Sequence, residues 1–141
     1  MKYNSFELVH VKELSSLINR DIDIDSESLK KIQTAYRVIF QYQDGNDSVG
    51  LHVQIRYVTF DEKVLLEIGA TFVVRLLDWN ESAHDEQSIR DNQNIVNLVG
   101  YGLAFVCGMT FRHTSGTILN TVFTPYINPG NIMKDVIIEK V

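Results

Sequence analysis

Long stretches of alternating apolar and polar residues are the strongest pattern in the chain. Apolar side chains occupy every second position over residues 49–57 and again over residues 64–76. Alternation with a period of two is typical of β-strands that turn one face to a core and the other to polar surroundings. Because only a short polar joint at Asp61 and Glu62 separates the two runs, they predict an antiparallel hairpin over residues 49–77.

Two earlier segments also have the character of strands. Aromatic and aliphatic side chains share one face over residues 36–42. Residues 6–25 look extended, and near the end of this segment isoleucines alternate with Asp21, Asp23 and Asp25. This alternation predicts an apolar strand face backed by a row of carboxylates.

A long apolar helix is predicted over residues 92–114. Residues 88–91 just before it have the spacing of a capping box, with Asp91 in the last position. Gly116 can supply the left-handed residue that ends a helix. Apolar side chains project from this helix in nearly all directions, which is typical of a helix buried on both sides. Because one sheet covers only one side, we expect a partner subunit to cover the other.

Small residues recur at every fourth position of the same helix, at Gly100, Ala104 and Gly108. Small side chains let another helix approach closely, so we interpret this stripe as an oligomer interface. The alternative is that the stripe packs against the sheet of its own chain. After the helix, residues 117–141 contain both prolines and predict a loop that packs on the body, with a short strand or helix at 136–138.

Composition narrows the class of protein. The chain has 141 residues and a net charge of −5, which predicts a single domain over residues 1–141 without the basic face that nucleic-acid binding needs. Its 45% hydrophobic and 22% charged residues are ordinary for a globular protein and exclude a disordered chain. The single cysteine, Cys107, fits a cytoplasmic location. The uncharged segment 98–109 is shorter than the roughly 20 residues that a membrane span needs, which predicts a buried helix.

Motifs for catalysis or cofactor binding are not found in the sequence. The four histidines lack the spacing of metal ligands. The Gly100-Tyr101-Gly102 run is followed by its third glycine at 108 instead of 105, so it does not match a dinucleotide-binding loop. Cys107 lies in the middle of the predicted helix, where a buried thiol is inert. We therefore expect a protein that is not an enzyme and has no cofactor.

The order of these elements resembles the SecB family of protein-export chaperones. Residues 116–119 read Gly-Thr-Ile-Leu, and residues 125–132 read Pro-Tyr-Ile-Asn-Pro-Gly-Asn-Ile. They are similar to the family's segment after the helix, although Ile132 stands where the family usually has phenylalanine. The resemblance implies an α+β fold, with a four-stranded antiparallel sheet followed by one long apolar helix and a proline-bearing C-terminal tail.

The resemblance also implies a function. SecB-like chaperones assemble as dimers of dimers, so a homotetramer or dimer is expected, and they hold unfolded polypeptides in apolar grooves without ATP. An acidic sheet face docks the export ATPase in this family, and relatives act as chaperones of toxin–antitoxin systems. The expected groove residues are Tyr101, Phe105, Phe111, Phe123, Tyr126 and Ile127. The expected acidic partner face consists of Asp21, Asp23, Asp25 and Glu67.

Two other functions fit parts of the sequence. A small-molecule-binding or thioesterase-like domain has a curved sheet wrapped round a helix rich in small residues. Such an enzyme needs an acid or amide near the helix start, and Asp91 or Asn94 could serve. A purely structural oligomer is the third interpretation. A pocket with one buried carboxylate would favour the enzyme, whereas an open groove lined by Phe123 and Tyr126 would favour the chaperone.

Overall fold

The computed structural model describes residues 6–14, 16–19, 24–76, 79, 84–121 and 127–141. Within these residues the chain forms one sheet and several helices. The strands are β1 (Phe6–Glu13), β2 (Leu17–Ile18), β3 (Gln33–Tyr42), β4 (Ser48–Val58), β5 (Val64–Leu76) and β6 (Ile137–Lys140). The helices are α1 (Ser26–Leu29), α2 (Glu86–Asp91), α3 (Gln93–His113) and α4 (Pro129–Ile132).

The strands form one mixed sheet in the order β1-β5-β4-β3-β6. Strand β2 lies beside β1 along the same edge of β5, and β6 pairs with β3 in the parallel direction. The α+β class is therefore confirmed, but the prediction of a four-stranded, purely antiparallel sheet is wrong. Strands of two and four residues are too short for a period of two to reveal them, and the sheet has six strands in the described part of the chain.

The predicted hairpin is confirmed as β4 and β5. Its register places Leu51 opposite Phe72 and Ile55 opposite Ile68, so the apolar residues of both strands share one face. All four of these side chains are fully buried. At the turn between the strands, Glu62 has a φ of 64°, a left-handed conformation that is uncommon for residues other than glycine.

Helix α3 lies across the buried face of β4 and β5. The helix approaches the sheet closely at Gly102, where an added Cβ would lie 2.8 Å from a methyl group of Leu51 and 2.9 Å from one of Val53. One face of α3 is buried by this packing, whereas the opposite face is exposed at Tyr101 and Phe111. In the single chain, the helix is therefore not buried on both sides as its sequence predicts.

The start of the long helix differs from the predicted capping box. Asp85 accepts a hydrogen bond from the backbone N–H of Ser88 and caps α2, so Ser88 lies inside a helix. Asn92 then separates the two helices, because its extended backbone (ψ 115°) and its side-chain oxygen make it the N-cap of α3. Of the described helices, α3 alone is long and apolar enough to cross a membrane, but its buried face packs on the sheet as a core helix does.

The C-terminal tail returns to the sheet. Gly116 has a φ of 77°, the left-handed conformation that favours glycine after a helix. The tail then forms a short 3-10 turn (Ile118–Thr121), α4 and β6, so 136–138 leads into a strand. Arg90 of α2 holds this tail by donating from its guanidinium to the carbonyl oxygens of Met133 and Val136.

Candidate functional site

The outward side of α3 exposes apolar residues to solvent. Phe111 is 68% exposed and Tyr101 is 39% exposed, and Ala104 and Gly108 between them are exposed as well. Positions 101, 104, 108 and 111 are three or four residues apart, so they lie on one side of the helix. Contiguous exposed apolar surface is typical of a binding site.

Three aromatic residues, Tyr101, Phe105 and Phe111, form what we call the aromatic face of α3. The Tyr101 ring contacts Phe6 of β1 with a centroid distance of 5.4 Å and an edge-to-face angle of 65°. Phe72 of β5 lies 5.9 Å from Tyr101 and 5.3 Å from Phe105. Edge-to-face pairs fix the orientation of the rings, so two of the three aromatic residues are held against the sheet while Phe111 extends into solvent.

Strand β1 borders this aromatic face. It is the end strand of the sheet, and beyond it no further strand pairs in the described part of the chain. Leu8 is 42% exposed and Val9 is 53% exposed, and the register with β5 shifts between Leu8 and His10. An end strand presents unpaired backbone groups to which another extended chain can add.

The predicted groove residues are only partly brought together. Tyr101 and Phe111 lie on the outward side of α3, whereas Phe105 is half-buried at its border against Phe72. Ile127 is likewise half-buried against the hydrophobic core. Phe123 and Tyr126 lie outside the described residues, so their place in a groove stays a prediction.

The predicted stripe of small residues divides between two surroundings. An added Cβ at Gly100 would lie 2.8 Å from the ring of Pro129 in α4, so this glycine makes room for the tail of its own chain. Ala104 and Gly108 face solvent, with nothing within 4 Å of an added Cβ at Gly108. The sequence interpretation missed Gly102, which lies against the sheet, because its position in the helix does not fit the four-residue spacing.

The structure describes two residues of the predicted acidic partner face, Asp25 and Glu67. Glu67 is bound by Arg56 at 2.6 Å and accepts a hydrogen bond from Gln54 at 2.8 Å. Asp25 caps α1, and the backbone N–H of Ser28 that it binds keeps the pKa of its carboxyl group below the usual value. Both carboxylates are engaged within the chain, while Asp21 and Asp23 lie outside the described residues.

The arrangement needed for a thioesterase-like site is not present at the expected residues. Asp91 is exposed and accepts a hydrogen bond from Gln87, and no carboxylate is buried among the described residues. The sheet lies on one side of α3 and does not wrap it. The described residues also contain no group of three metal-binding side chains, and burial raises the pKa of the Cys107 thiol, which keeps it protonated.

Comparison with known proteins finds similarity among solved structures. No family model and no curated protein matches the chain. Among solved structures, the chain is similar to the Mycobacterium tuberculosis SecB-like chaperone Rv1957, determined in complex with a peptide from the antitoxin HigA1. The two share 8% sequence identity, the match covers 85% of this chain and 88% of that one, and the TM-score is 0.46.

Proposed function

We propose that this protein is an ATP-independent chaperone that holds unfolded polypeptide segments against the aromatic face of α3. The observation that carries this proposal is the exposed apolar side of that helix, where Phe111 projects into solvent and Tyr101 contacts Phe6 of the end strand β1. The resemblance of the sequence to the SecB family supports the same function.

Such a surface meets both needs of an unfolded client. An unfolded segment exposes apolar side chains, which gain about 25 cal/mol per Å² when they are buried against aromatic rings. It also exposes backbone N–H and C=O groups, which can pair with the unpaired edge of β1. Because burial and hydrogen bonding alone drive this association, holding a client requires no nucleotide hydrolysis.

Aggregation of a chemically unfolded test protein measures this activity directly. We expect light scattering after dilution into buffer without ATP to be suppressed at near-stoichiometric ratios. The variant Phe111→Ser should need about tenfold more protein for the same suppression, since an exposed aromatic anchor contributes roughly 1–2 kcal/mol to binding. Phe60→Ser is the matched control, because Phe60 is 83% exposed but lies at the turn between β4 and β5.

Two results would contradict the proposal. One is the absence of suppression at a several-fold excess of the protein. The other is an equal effect of Phe111→Ser and Phe60→Ser, which would show that exposed phenylalanine in general, and not α3, carries the activity. The double variant Phe123→Ser with Tyr126→Ser tests in the same assay whether the predicted tail residues extend the binding surface.

We further propose that the protein self-associates through the exposed small residues Ala104 and Gly108. Their lack of side-chain bulk lets a second helix approach α3 closely. The clients are proposed to be either exported precursors or the antitoxin of a toxin–antitoxin pair. Mass spectrometry of clients trapped by cross-linking through an engineered residue at Phe111 distinguishes these two sources.

A further inference from the structure

The face of the sheet that points away from α3 contains a hollow of about 210 Å³, which we call the outer hollow. It lies between β3 and the segment that follows β1. On β3, Arg37 and Ile39 alternate with the buried Val38 and Phe40, so they face away from the core. The hollow is lined by the apolar residues Leu14 and Ile39, by the polar residues Arg37, Gln41, His52 and Gln54, and by Val53, whose side chain points to α3.

Gly69 makes room for Leu14, one of the residues that line the outer hollow. An added Cβ there would lie 3.2 Å from the Cδ1 atom of Leu14 and 3.0 Å from the carbonyl oxygen of Val53. Leu14 also donates its backbone N–H to the carbonyl oxygen of Gly69 at 2.9 Å. Leu14 therefore folds across the glycine and adds a second apolar side chain, besides Ile39, to the lining of the hollow.

Hydrogen bonds hold the polar side of the hollow in place. Gln41 donates from its side-chain nitrogen to Glu139 at 2.9 Å, which leaves its oxygen to accept from Nε2 of His52 at 3.2 Å. The hydroxyl of Thr71 forms a hydrogen bond with Nδ1 of His52 at 2.8 Å. These partners satisfy both ring nitrogens of His52, so the imidazole is a fixed wall and not a free ligand.

Arg37 is the one arginine of this sheet face without a carboxylate partner among the described residues. Arg56 binds Glu67, and Arg75 binds Glu7 at 3.2 Å and Asp47 at 3.1 Å. Arg37 is exposed and also lines a second, adjacent hollow of about 110 Å³ with Ala35, Tyr36, Gln54 and Arg56. An unpaired guanidinium between two hollows offers a carboxylate a two-pronged hydrogen-bonding site.

We propose that the outer hollow binds an extended, acidic polypeptide segment, with one apolar side chain against Leu14 and Ile39 and a neighbouring carboxylate on Arg37. The volume is below the roughly 300–1,000 Å³ of pockets that hold drug-sized ligands, so it fits a single side chain. The adjacent hollow shares Arg37 and Gln54 with the outer hollow and offers room for a second side chain of the same segment. The occupant is a polypeptide because an apolar side chain next to a carboxylate matches Leu14 and Ile39 next to the guanidinium of Arg37.

This surface lies on the opposite side of the sheet from the aromatic face of α3. The inference does not depend on the holding of unfolded clients, because no residue of the outer hollow belongs to that face. The inference gives the protein a second partner, which is recognised by its charge and by one apolar side chain. This partner binds the sheet face for which the sequence predicts acidic residues.

Fluorescence anisotropy with short labelled peptides tests the proposal. The first probe has a leucine flanked by glutamates in a glycine-serine background, the second replaces the leucine by serine, and the third replaces the glutamates by lysines. We expect only the first to bind, with an affinity that falls as salt is added. Arg37→Gln should weaken this binding about tenfold, as expected for loss of a two-pronged charged pair.

Arg112→Gln is the matched control, because Arg112 is an exposed arginine in the last turn of α3 and should leave peptide binding unchanged. Amide chemical shifts should move in β3 and β4 around Arg37 and Gln54, and not in α3. Suppression of aggregation should be the same for Arg37→Gln and for the unaltered protein, so failure of this inference can be told apart from failure of the proposed chaperone function.

Four results would overturn the proposal. The first is equal binding of the leucine and serine probes, and the second is equal affinity of the Arg37→Gln and Arg112→Gln variants. The third is competition by a single-stranded oligonucleotide of matched charge as strong as that by the acidic peptide, which would assign the face to polyanions in general. The fourth is a fall in oligomer mass on Arg37→Gln without a change in peptide binding, which would assign the face to a second copy of the chain.

Discussion

At the scale of single residues, two glycines of α3 have opposite surroundings. Gly102→Ala would place a methyl group within 3 Å of Leu51 and Val53, both fully buried, whereas Gly108→Ala meets nothing within 4 Å. Overpacking costs about 1–3 kcal/mol and exceeds the gain of about 0.5–1 kcal/mol from replacing a helical glycine. We therefore expect Gly102→Ala to lower, and Gly108→Ala to raise, the free energy of unfolding measured in urea.

The outcome at Gly102 tests the packing of α3 on the sheet. Val53 is β-branched and stiff about its first side-chain bond, so it cannot easily move aside for a new methyl group. If both alanine variants proved more stable than the unaltered protein, the close approach of α3 to β4 would be contradicted.

We expect the buried hydroxyl of Tyr36 to make the folded protein less stable at alkaline pH. Burial raises the pKa of Tyr36 to about 12, and its hydroxyl is buried without a hydrogen-bond partner in the structure. An unfolded tyrosine ionises near pH 10, so this contribution to stability is fully present below about pH 10 and is lost as the pH rises toward 12. Tyr36→Phe should remove that part of the decline and leave the protein at least as stable at pH 8.

Urea unfolding of Tyr36→Phe and the unaltered protein at pH 8 and near pH 11 measures this difference. Tyr101→Phe is a control, because Tyr101 is 39% exposed and its substitution should leave the alkaline decline in place. A clear loss of stability of Tyr36→Phe at pH 8 would show that the Tyr36 hydroxyl makes a stabilising hydrogen bond, contrary to the structure.

At the scale of elements, the length of a pattern decided how well it could be predicted. The strands β4 and β5 have 11 and 13 residues, and α3 has 21, so their periodicities repeat often enough to identify them. Strand β6 has four residues, and its parallel pairing with β3 depends on the path of the tail. Such pairing is set by tertiary contacts and leaves no local signal in the sequence.

The candidate site was predictable at the same scale only in part. The position of Tyr101, Phe105 and Phe111 on a long apolar helix is evident from the sequence, but the side of the helix that the sheet leaves exposed is not. The apolar residues all round α3 predicted that the helix is buried on both sides. The contact of Gly102 with β4 identifies the side that faces the sheet, and the outward side lies opposite to it. The outer hollow depends on Leu14 folding over Gly69, two residues far apart in the sequence, so no local pattern predicts it.

At the scale of the whole molecule, one surface serves two proposed roles. Ala104 and Gly108, proposed to join two copies, lie on the same side of α3 as Tyr101 and Phe111, proposed to hold a client. One side of a single helix cannot contact a second helix and an extended polypeptide at the same positions. Client binding and self-association through α3 should therefore compete, and each should weaken the other by the same factor.

Sedimentation measurements test this competition, with and without an unfolded apolar peptide. We expect saturating peptide to lower the mean mass of the protein, and Ala104→Glu to lower it without peptide, because a charge at a helix–helix contact is costly to bury. Lys134→Glu, at an exposed position of the tail, is the control for the added negative charge. A mass that falls on Ala104→Glu but is unaffected by peptide would place the client on a different surface, because a shared face requires that the peptide displace the second copy.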